Sequence, residues 1–152
     1  MKKIFLSVLL ALTVVCGLLG FAACGDKNEG LIFTEYSAVE GVVSYEISMD
    51  KYNDYGLKVK EIKIPETYNG GKVTVIAERA FKNCALLEKV TIPKSIELIR
   101  SEAFMDAPLK QIIFEGTKAQ WDNIEKANDW IFSAAAIPLL CADGSWYAYA
   151  SK

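Results

Sequence analysis

The chain has 152 residues, a formal net charge of −2 and no histidine. This length allows one ordinary domain, or a small domain preceded by a targeting segment. The slight acidity argues against a nucleic-acid binder, because phosphate recognition needs a basic stripe. Without histidine there is no Ser-His-Asp triad, no Cys-His pair and no imidazole metal ligand, which excludes much of the hydrolase repertoire.

The first 23 residues are the most apolar part of the chain. Lys2 and Lys3 precede an apolar run that extends to Ala23, an arrangement typical of an export signal. The segment Phe21-Ala22-Ala23-Cys24-Gly25 resembles a bacterial lipobox. By this resemblance, residues 1–23 are a lipoprotein signal peptide and Cys24 carries the lipid. The protein would then be exported and anchored to a membrane at the cell surface; an uncleaved signal anchor is the alternative.

Two segments follow this leader. Residues 24–30 combine the cysteine with a polar stretch and are interpreted as a tether. Residues 31–56 are predicted to form a strand-rich N-terminal cap with one strand over residues 42–47. Asn53, Asp54 and Gly56 favour a turn that leads out of this cap.

The middle of the chain contains an internal repeat. The segment AFKNCALLEKVTIP, starting at Ala80, overlays on AFMDAPLKQIIFEG, starting at Ala103. Equivalent apolar residues lie 22 or 23 positions apart, a period typical of solenoids. These pairs are Phe81/Phe104, Cys84/Ala107, Leu87/Leu109, Val90/Ile112 and Ile92/Phe114.

Each repeat predicts one coil with a single apolar side. Val90 and Ile92 alternate with Lys89 and Thr91, which indicates a strand with one buried face. Pro93 ends this strand because it lacks an N–H group. We expect Ile96 and Ile99 to return to the core, and residues 101–104 to form a short helical turn that carries Phe104 inward. Because one coil cannot bury its own apolar face, the coils are expected to stack.

The combined pattern resembles the BspA-type leucine-rich repeat family of bacterial cell-surface proteins. The motif is carried by Ile62-Lys63-Ile64-Pro65, by Val90-Thr91-Ile92-Pro93 and by the two Ala-Phe turns; Ala77 and Arg100 stand where the family often has glycine. The resemblance covers residues 57–116. It implies a β-rich α/β fold, namely a short right-handed leucine-rich-repeat solenoid.

Residues 117–152 are predicted to form a helical C-terminal cap. Thr117 and Gln120 have the spacing of a capping box for a helix over residues 118–127, with Trp121 and Ile124 on one face. A last strand over residues 138–141, a turn at 142–144 and an exposed closing strand over 146–149 follow.

Several residues could carry chemistry, but another interpretation is favoured for each. Gly70-Gly71-Lys72 lacks the spacing of a phosphate loop and favours a hairpin turn. Cys84 and Cys141 could form a disulfide after export, although buried thiols are favoured. Trp130, Trp146, Tyr147 and Tyr149 could anchor a partner, although packing of the cap is favoured. The acidic residues show no clustered pair, so glycosidase-type acid/base catalysis has no support. We expect no enzyme, no cofactor and no metal site.

The outward residues of the repeat strands are the candidate binding face. They are Glu61, Lys63, Lys89, Thr91, Gln111 and Ile113, and stacking should place them in adjacent rows. The resemblance implies recognition or adhesion at the cell surface, with a host or surface protein or a glycan as partner. A solvated face without a ligand, and a structural envelope or accessory role, are the alternatives.

Overall fold

The computed structural model describes residues 30–36, 43–50, 58–132 and 136–149. The predicted leader, Cys24, most of the tether and the predicted turn at Asn53, Asp54 and Gly56 lie outside these residues. Within the described part of the chain, no helix is both long and apolar enough to cross a membrane.

Eleven strands and one short helix form the described structure. In chain order they are β1 (Leu31–Glu35), β2 (Ser44–Met49), β3 (Glu61–Lys63), β4 (Thr67–Tyr68), β5 (Gly71–Ile76), β6 (Lys89–Ile92), β7 (Leu98–Ile99), β8 (Gln111–Phe114), α1 (Lys118–Asn123), β9 (Glu125–Lys126), β10 (Ile137–Cys141) and β11 (Trp146–Tyr149).

The strands are divided between two sheets. Sheet A has the order β1-β2-β5-β7-β9, with β4 paired to β5, and sheet B has the order β11-β10-β8-β6-β3. From β3 onward the chain alternates between the sheets, and each return adds a parallel strand beside the previous one. The result is a β-solenoid of about three turns, which confirms the predicted solenoid. Its right-handed winding stays a prediction.

The predicted alternation of the repeat strands is confirmed. Val90 and Ile92 are fully buried between the sheets, whereas Lys89 and Thr91 are partly exposed on the other face. Val90 pairs with Ile112 on the neighbouring strand, which places two residues of the same repeat position side by side. Ile96 and Ile99 are also buried, as predicted. The core therefore consists of rows of apolar side chains that run from coil to coil.

A column of aromatic rings crosses this core. The ring centroids of Phe81 and Phe104 are 5.0 Å apart in a stacked arrangement, and Trp130 meets Phe104 edge-on at 5.9 Å. Trp121 continues the column, 5.9 Å from Trp130 and 5.3 Å from Phe114. Such pairs contribute about 0.5–1.5 kcal/mol each beyond the burial of their area. The column links all three coils.

The Ala-Phe turns stack on one another through their backbones. Phe81 N donates to Ala103 O at 2.7 Å, and Phe104 N donates to Trp130 O at 2.9 Å. Arg79 and Glu102, at equivalent repeat positions, both have a positive φ, of 56° and 54°. This backbone conformation is unfavourable for long side chains. We infer that the inter-coil hydrogen bonds hold the two residues in it.

The structure corrects the prediction of a helical C-terminal cap. The capping box is present, since Gln120 N donates to Thr117 Oγ1 at 3.3 Å and Thr117 N donates to Gln120 Oε1 at 2.9 Å. However, α1 ends at Asn123. Glu125 N donates to Glu97 O of the previous coil at 2.9 Å, so the following residues form β9 and not a further helical turn. The antiparallel β10–β11 hairpin forms the end of sheet B, with β11 as its last strand.

Replacement of the central ring tests the column. We expect Phe104→Ala to lower the free energy of unfolding by about 3–5 kcal/mol, because it removes a buried ring and leaves a cavity between two coils. Denaturant unfolding measures this loss. The control is Phe132→Ala, whose side chain is 66% exposed and should change stability by less than about 0.5 kcal/mol. Equal effects of the two variants would contradict the packing described.

Candidate functional site

The six predicted face residues lie together on the side of sheet B that points away from the core. Glu61, Lys89 and Gln111 form one row across β3, β6 and β8. Lys63, Thr91 and Ile113 form the next row. All six are exposed or partly exposed. We call this surface the outer face; its geometry agrees with the expected rows, and its role in binding stays a prediction.

The charges of the outer face pair with one another. Lys89 Nζ lies 2.5 Å from Glu61 Oε2, across neighbouring strands. Lys63 Nζ lies 2.6 Å from Glu115 Oε1, just beyond the end of β8. Exposed pairs of this kind contribute at most about 1 kcal/mol to stability. They leave this part of the outer face polar but locally balanced in charge.

The second row continues further than the sequence indicated. Ile113 pairs with Leu140 on β10, and Leu140 pairs with Trp146 on β11. Leu140 is 38% exposed and Trp146 is 64% exposed. The row therefore changes from charged at Lys63 to apolar at Trp146. In β10 the buried residues are Ile137, Leu139 and Cys141, so Leu140 faces outward. Because Leu140 is apolar like its two neighbours, the sequence alone carries no signal for this position.

The terminal aromatic residues have different positions. Trp130 is buried in the aromatic column, which agrees with a packing role. Trp146 is largely exposed, so the prediction that it packs into the cap is wrong. β11 presents it outward because Leu140, its partner in the register, also faces outward. The side chains of Tyr147 and Tyr149 lie outside the described set.

A cluster of charges lies on the stacked turns. Glu102 accepts hydrogen bonds from Arg79 Nε at 2.9 Å and from Lys82 Nζ at 2.6 Å. These two hydrogen bonds lower the pKa of Glu102 to about 2, and the one from Arg79 makes the larger contribution. The same carboxylate raises the pKa of Arg79. The cluster ties two left-handed turns together, and its carboxylate is ionised at neutral pH.

Both described cysteines are buried thiols, as predicted. Cys84 directly follows the first Ala-Phe turn, where its N donates to Phe81 O, and Cys141 lies at the end of β10; no disulfide joins them. Burial raises the pKa of Cys141, and the nearby carboxylate of Asp143 adds to the effect. A raised pKa disfavours the thiolate, the form that acts as nucleophile and metal ligand. These properties are those of a structural cysteine.

The glycine-rich segment forms the predicted hairpin. Thr67 pairs with Lys72 and Tyr68 with Gly71 across a two-residue turn of Asn69 and Gly70. Both turn residues have positive φ, of 45° and 82°, as this kind of tight turn requires. No group of three or more histidine, cysteine or acidic residues arranged for a metal occurs among the described residues.

One depression lies between the segment that directly precedes β7 and the end of α1. It has a volume of about 190 Å³ and is lined by Lys94, Ile96, Glu97, Gln120, Asn123 and Ile124. This volume is below the roughly 300–1,000 Å³ of typical small-molecule sites. The outer face is therefore the stronger candidate for recognition.

The turn cluster predicts a dependence of stability on pH. Because the pKa of Glu102 is lower in the folded protein, its stabilisation is complete above pH 4.5 and is lost as the pH falls to about 2. ¹³C NMR of the Glu102 carboxyl should show this low pKa, and Arg79→Ala should raise it toward 4.5. Lys72→Ala, an exposed lysine on β5, is the control. Titration of Glu102 near 4.5 in the unsubstituted protein would contradict the cluster.

The comparisons with known proteins agree with this architecture. Residues 46–136 match a family model described as the BspA type leucine rich repeat region (6 copies). The match covers more than half of the chain, from within β2 to just before β10. No curated protein and no solved structure matches significantly. On the strength of the family match, the chain belongs to the BspA-type leucine-rich repeat family.

Proposed function

We propose that this protein is a lipid-anchored recognition protein of the cell surface, which binds a protein ligand through the outer face. Leucine-rich repeats of this family serve recognition or adhesion in general. The observation that carries the proposal is the continuous row Lys63-Thr91-Ile113-Leu140-Trp146, in register over the five strands of sheet B. Binding by surface complementarity needs no catalytic step and no cofactor.

The composition of the row favours a protein over a glycan as ligand. Glycan sites commonly use aromatic rings as platforms, and Trp146 is the one aromatic side chain described on this row. The remainder combines ion pairs with Ile113 and Leu140. Protein interfaces have this composition, with an apolar anchor beside a polar rim.

The two halves of the outer face would have different roles. Trp146 and Leu140 offer apolar area that a partner can cover, and such anchors supply most of the binding energy in many interfaces. Glu61, Lys63 and Lys89 offer charges whose arrangement selects among partners. We therefore assign affinity to the β10–β11 end and specificity to the β3–β6 end.

The membrane location rests on Cys24 and the residues before it. In this proposal a lipid on Cys24 holds the protein at an extracytoplasmic membrane surface, and the polar tether sets its distance from the bilayer. One acyl chain binds a membrane only weakly and reversibly, whereas two or more anchor a protein stably.

A structural role in the cell envelope is the second candidate. The observation that favours it is the internal pairing of Lys89 with Glu61 and of Lys63 with Glu115, which leaves these charges already partnered. A purely structural protein would retain its place in the envelope when the outer face is altered.

Variants of the apolar end test the recognition function. With the detergent-solubilised chain as bait, we expect a specific partner from host-cell or envelope extracts. Trp146→Ala should weaken its binding about 30-fold, the effect of losing an anchor residue worth about 2 kcal/mol. The double variant Lys63→Glu/Lys89→Glu should weaken binding and change its dependence on salt.

Lys72→Glu is the matched control, because this exposed lysine lies on β5 of sheet A, away from the outer face. It should leave binding unchanged. A partner bound equally well by all the variants would place recognition elsewhere. If no partner is captured under any condition, the structural role is the better account.

Metabolic labelling with a fatty acid tests the anchor. We expect the unsubstituted protein to incorporate label and Cys24→Ala to incorporate none, because the lipid is attached to that side chain. Cys16→Ala is the control within the leader and should label normally. Labelling that persists in Cys24→Ala would contradict lipidation at Cys24.

A further inference from the structure

β11 is the last strand of sheet B and is paired on one side in the part of the chain that the structure describes. β10 lies between β8 and β11, so its backbone is used on both sides. The opposite side of β11 faces no strand among residues 30–36, 43–50, 58–132 and 136–149. Unpaired edges of this kind are templates for pairing with another strand.

The register of β10 and β11 identifies which backbone N–H and C=O groups of β11 are available to a further strand. Cys141 N donates to Ser145 O at 3.0 Å, directly beside the turn that joins β10 to β11. In antiparallel pairs the direction of the backbone groups alternates along the strand, so Tyr147 and Tyr149 bond toward β10. The N–H and C=O groups of Trp146 and Ala148 therefore point away from β10, in the plane of the sheet and beyond its edge.

The other terminal strands are protected by charge. β3 has Glu61 and Lys63 among its three residues, β9 is the charged pair Glu125 and Lys126, and β1 ends in Glu35. Charged and short edge strands resist pairing. β4, which also has a single partner, is uncharged but only two residues long. β11 has four residues, WYAY, and no charge, so among these five edge strands it alone is neither charged nor very short within the described residues.

We propose that β11 pairs antiparallel with β11 of a second copy of this chain, forming a two-fold symmetric dimer. With the two-fold axis at Tyr147, Trp146 of each copy lies opposite Ala148 of the other. The outward N–H and C=O groups of these residues then form four hydrogen bonds. This inference does not depend on the proposed ligand-binding function.

A second copy fits this edge for two reasons. First, WYAY is uncharged, so antiparallel self-pairing brings no like charges together, and both edges offer the same donors and acceptors in reversed order. Second, pairing within one sheet places the two outer faces on the same side. The apolar row Ile113-Leu140-Trp146 of one copy then meets that of the other, and the exposed indole of Trp146 lies at the junction.

Disulfide trapping in the full chain on membranes tests the dimer. Tyr147→Cys places two cysteines directly opposite each other across the axis, about 4.5 Å apart at Cα, which is within disulfide range. Ser145→Cys is the matched control, because its two cysteines would be separated by about four residues along the strand, roughly 13 Å. We expect mild oxidation to cross-link Tyr147→Cys at least tenfold more than Ser145→Cys or the unsubstituted chain.

Ala148→Pro gives a second, independent measurement. Proline removes only the N–H that points outward, which an edge strand tolerates. In the Tyr147→Cys background it should reduce cross-linking at least tenfold, while Ala148→Pro alone keeps the thermal unfolding transition of the unsubstituted chain. The proposal is overturned by equal cross-linking of Tyr147→Cys and Ser145→Cys, by cross-linking unaffected by Ala148→Pro, or by cross-linking of Tyr147→Cys to a different protein.

Discussion

The structure depends on the register between parallel strands of successive coils. Successive residues of a strand point to opposite sides, so the pairing of Val90 with Ile112 also determines that Lys89 stands beside Gln111 and Thr91 beside Ile113. A shift of one residue would turn Lys89 into the core and Val90 into solvent. One constraint therefore determines both the core and the composition of the outer face.

Two features stabilise this register. The aromatic column from Phe81 to Trp130 fills the space between coils with rings in direct contact. The Ala-Phe turns add backbone hydrogen bonds at the same repeat positions, and the ion pair between Arg79 and Glu102 joins two residues with left-handed backbones. Packing and strained turns thus repeat with the same period, so that displacing one coil would break several kinds of contact together.

The sequence predicted sheet B well and the shortest strands of sheet A poorly. Strands such as β6 alternate over four residues, and their repeat is visible as paired segments. β7 and β9 have two residues each, which is too short for a periodic pattern, and they form because neighbouring backbones accept their hydrogen bonds. The repeat position at which the family often has glycine shows another limit of sequence prediction. Ala77 and Arg100 occupy this position and have no positive φ. The positive φ occurs two residues later, at Arg79 and Glu102.

The candidate site was predictable to the same extent. The outward position of the six residues on β3, β6 and β8 could be predicted from the alternation within each strand and from the repeat spacing. That of Leu140 and Trp146 could not, because it depends on how β10 aligns with β8, and that alignment arises from burial of Leu139 and Cys141. The end of α1 also depends on a tertiary contact, since Glu125 N donates to Glu97 O and β9 pairs with β7. Two local hydrogen bonds support it, from Lys126 Nζ to Trp121 O at 2.6 Å and to Ile124 O at 2.7 Å.

NMR measurement of contacts between strands tests the register most directly. Nuclear Overhauser effects between backbone protons should connect Lys63 with Thr91, Thr91 with Ile113 and Ile113 with Leu140, all in the parallel pattern. The account predicts this single set of contacts. Contacts displaced by one residue, or an antiparallel pattern between β6 and β8, would contradict both the core and the outer face described.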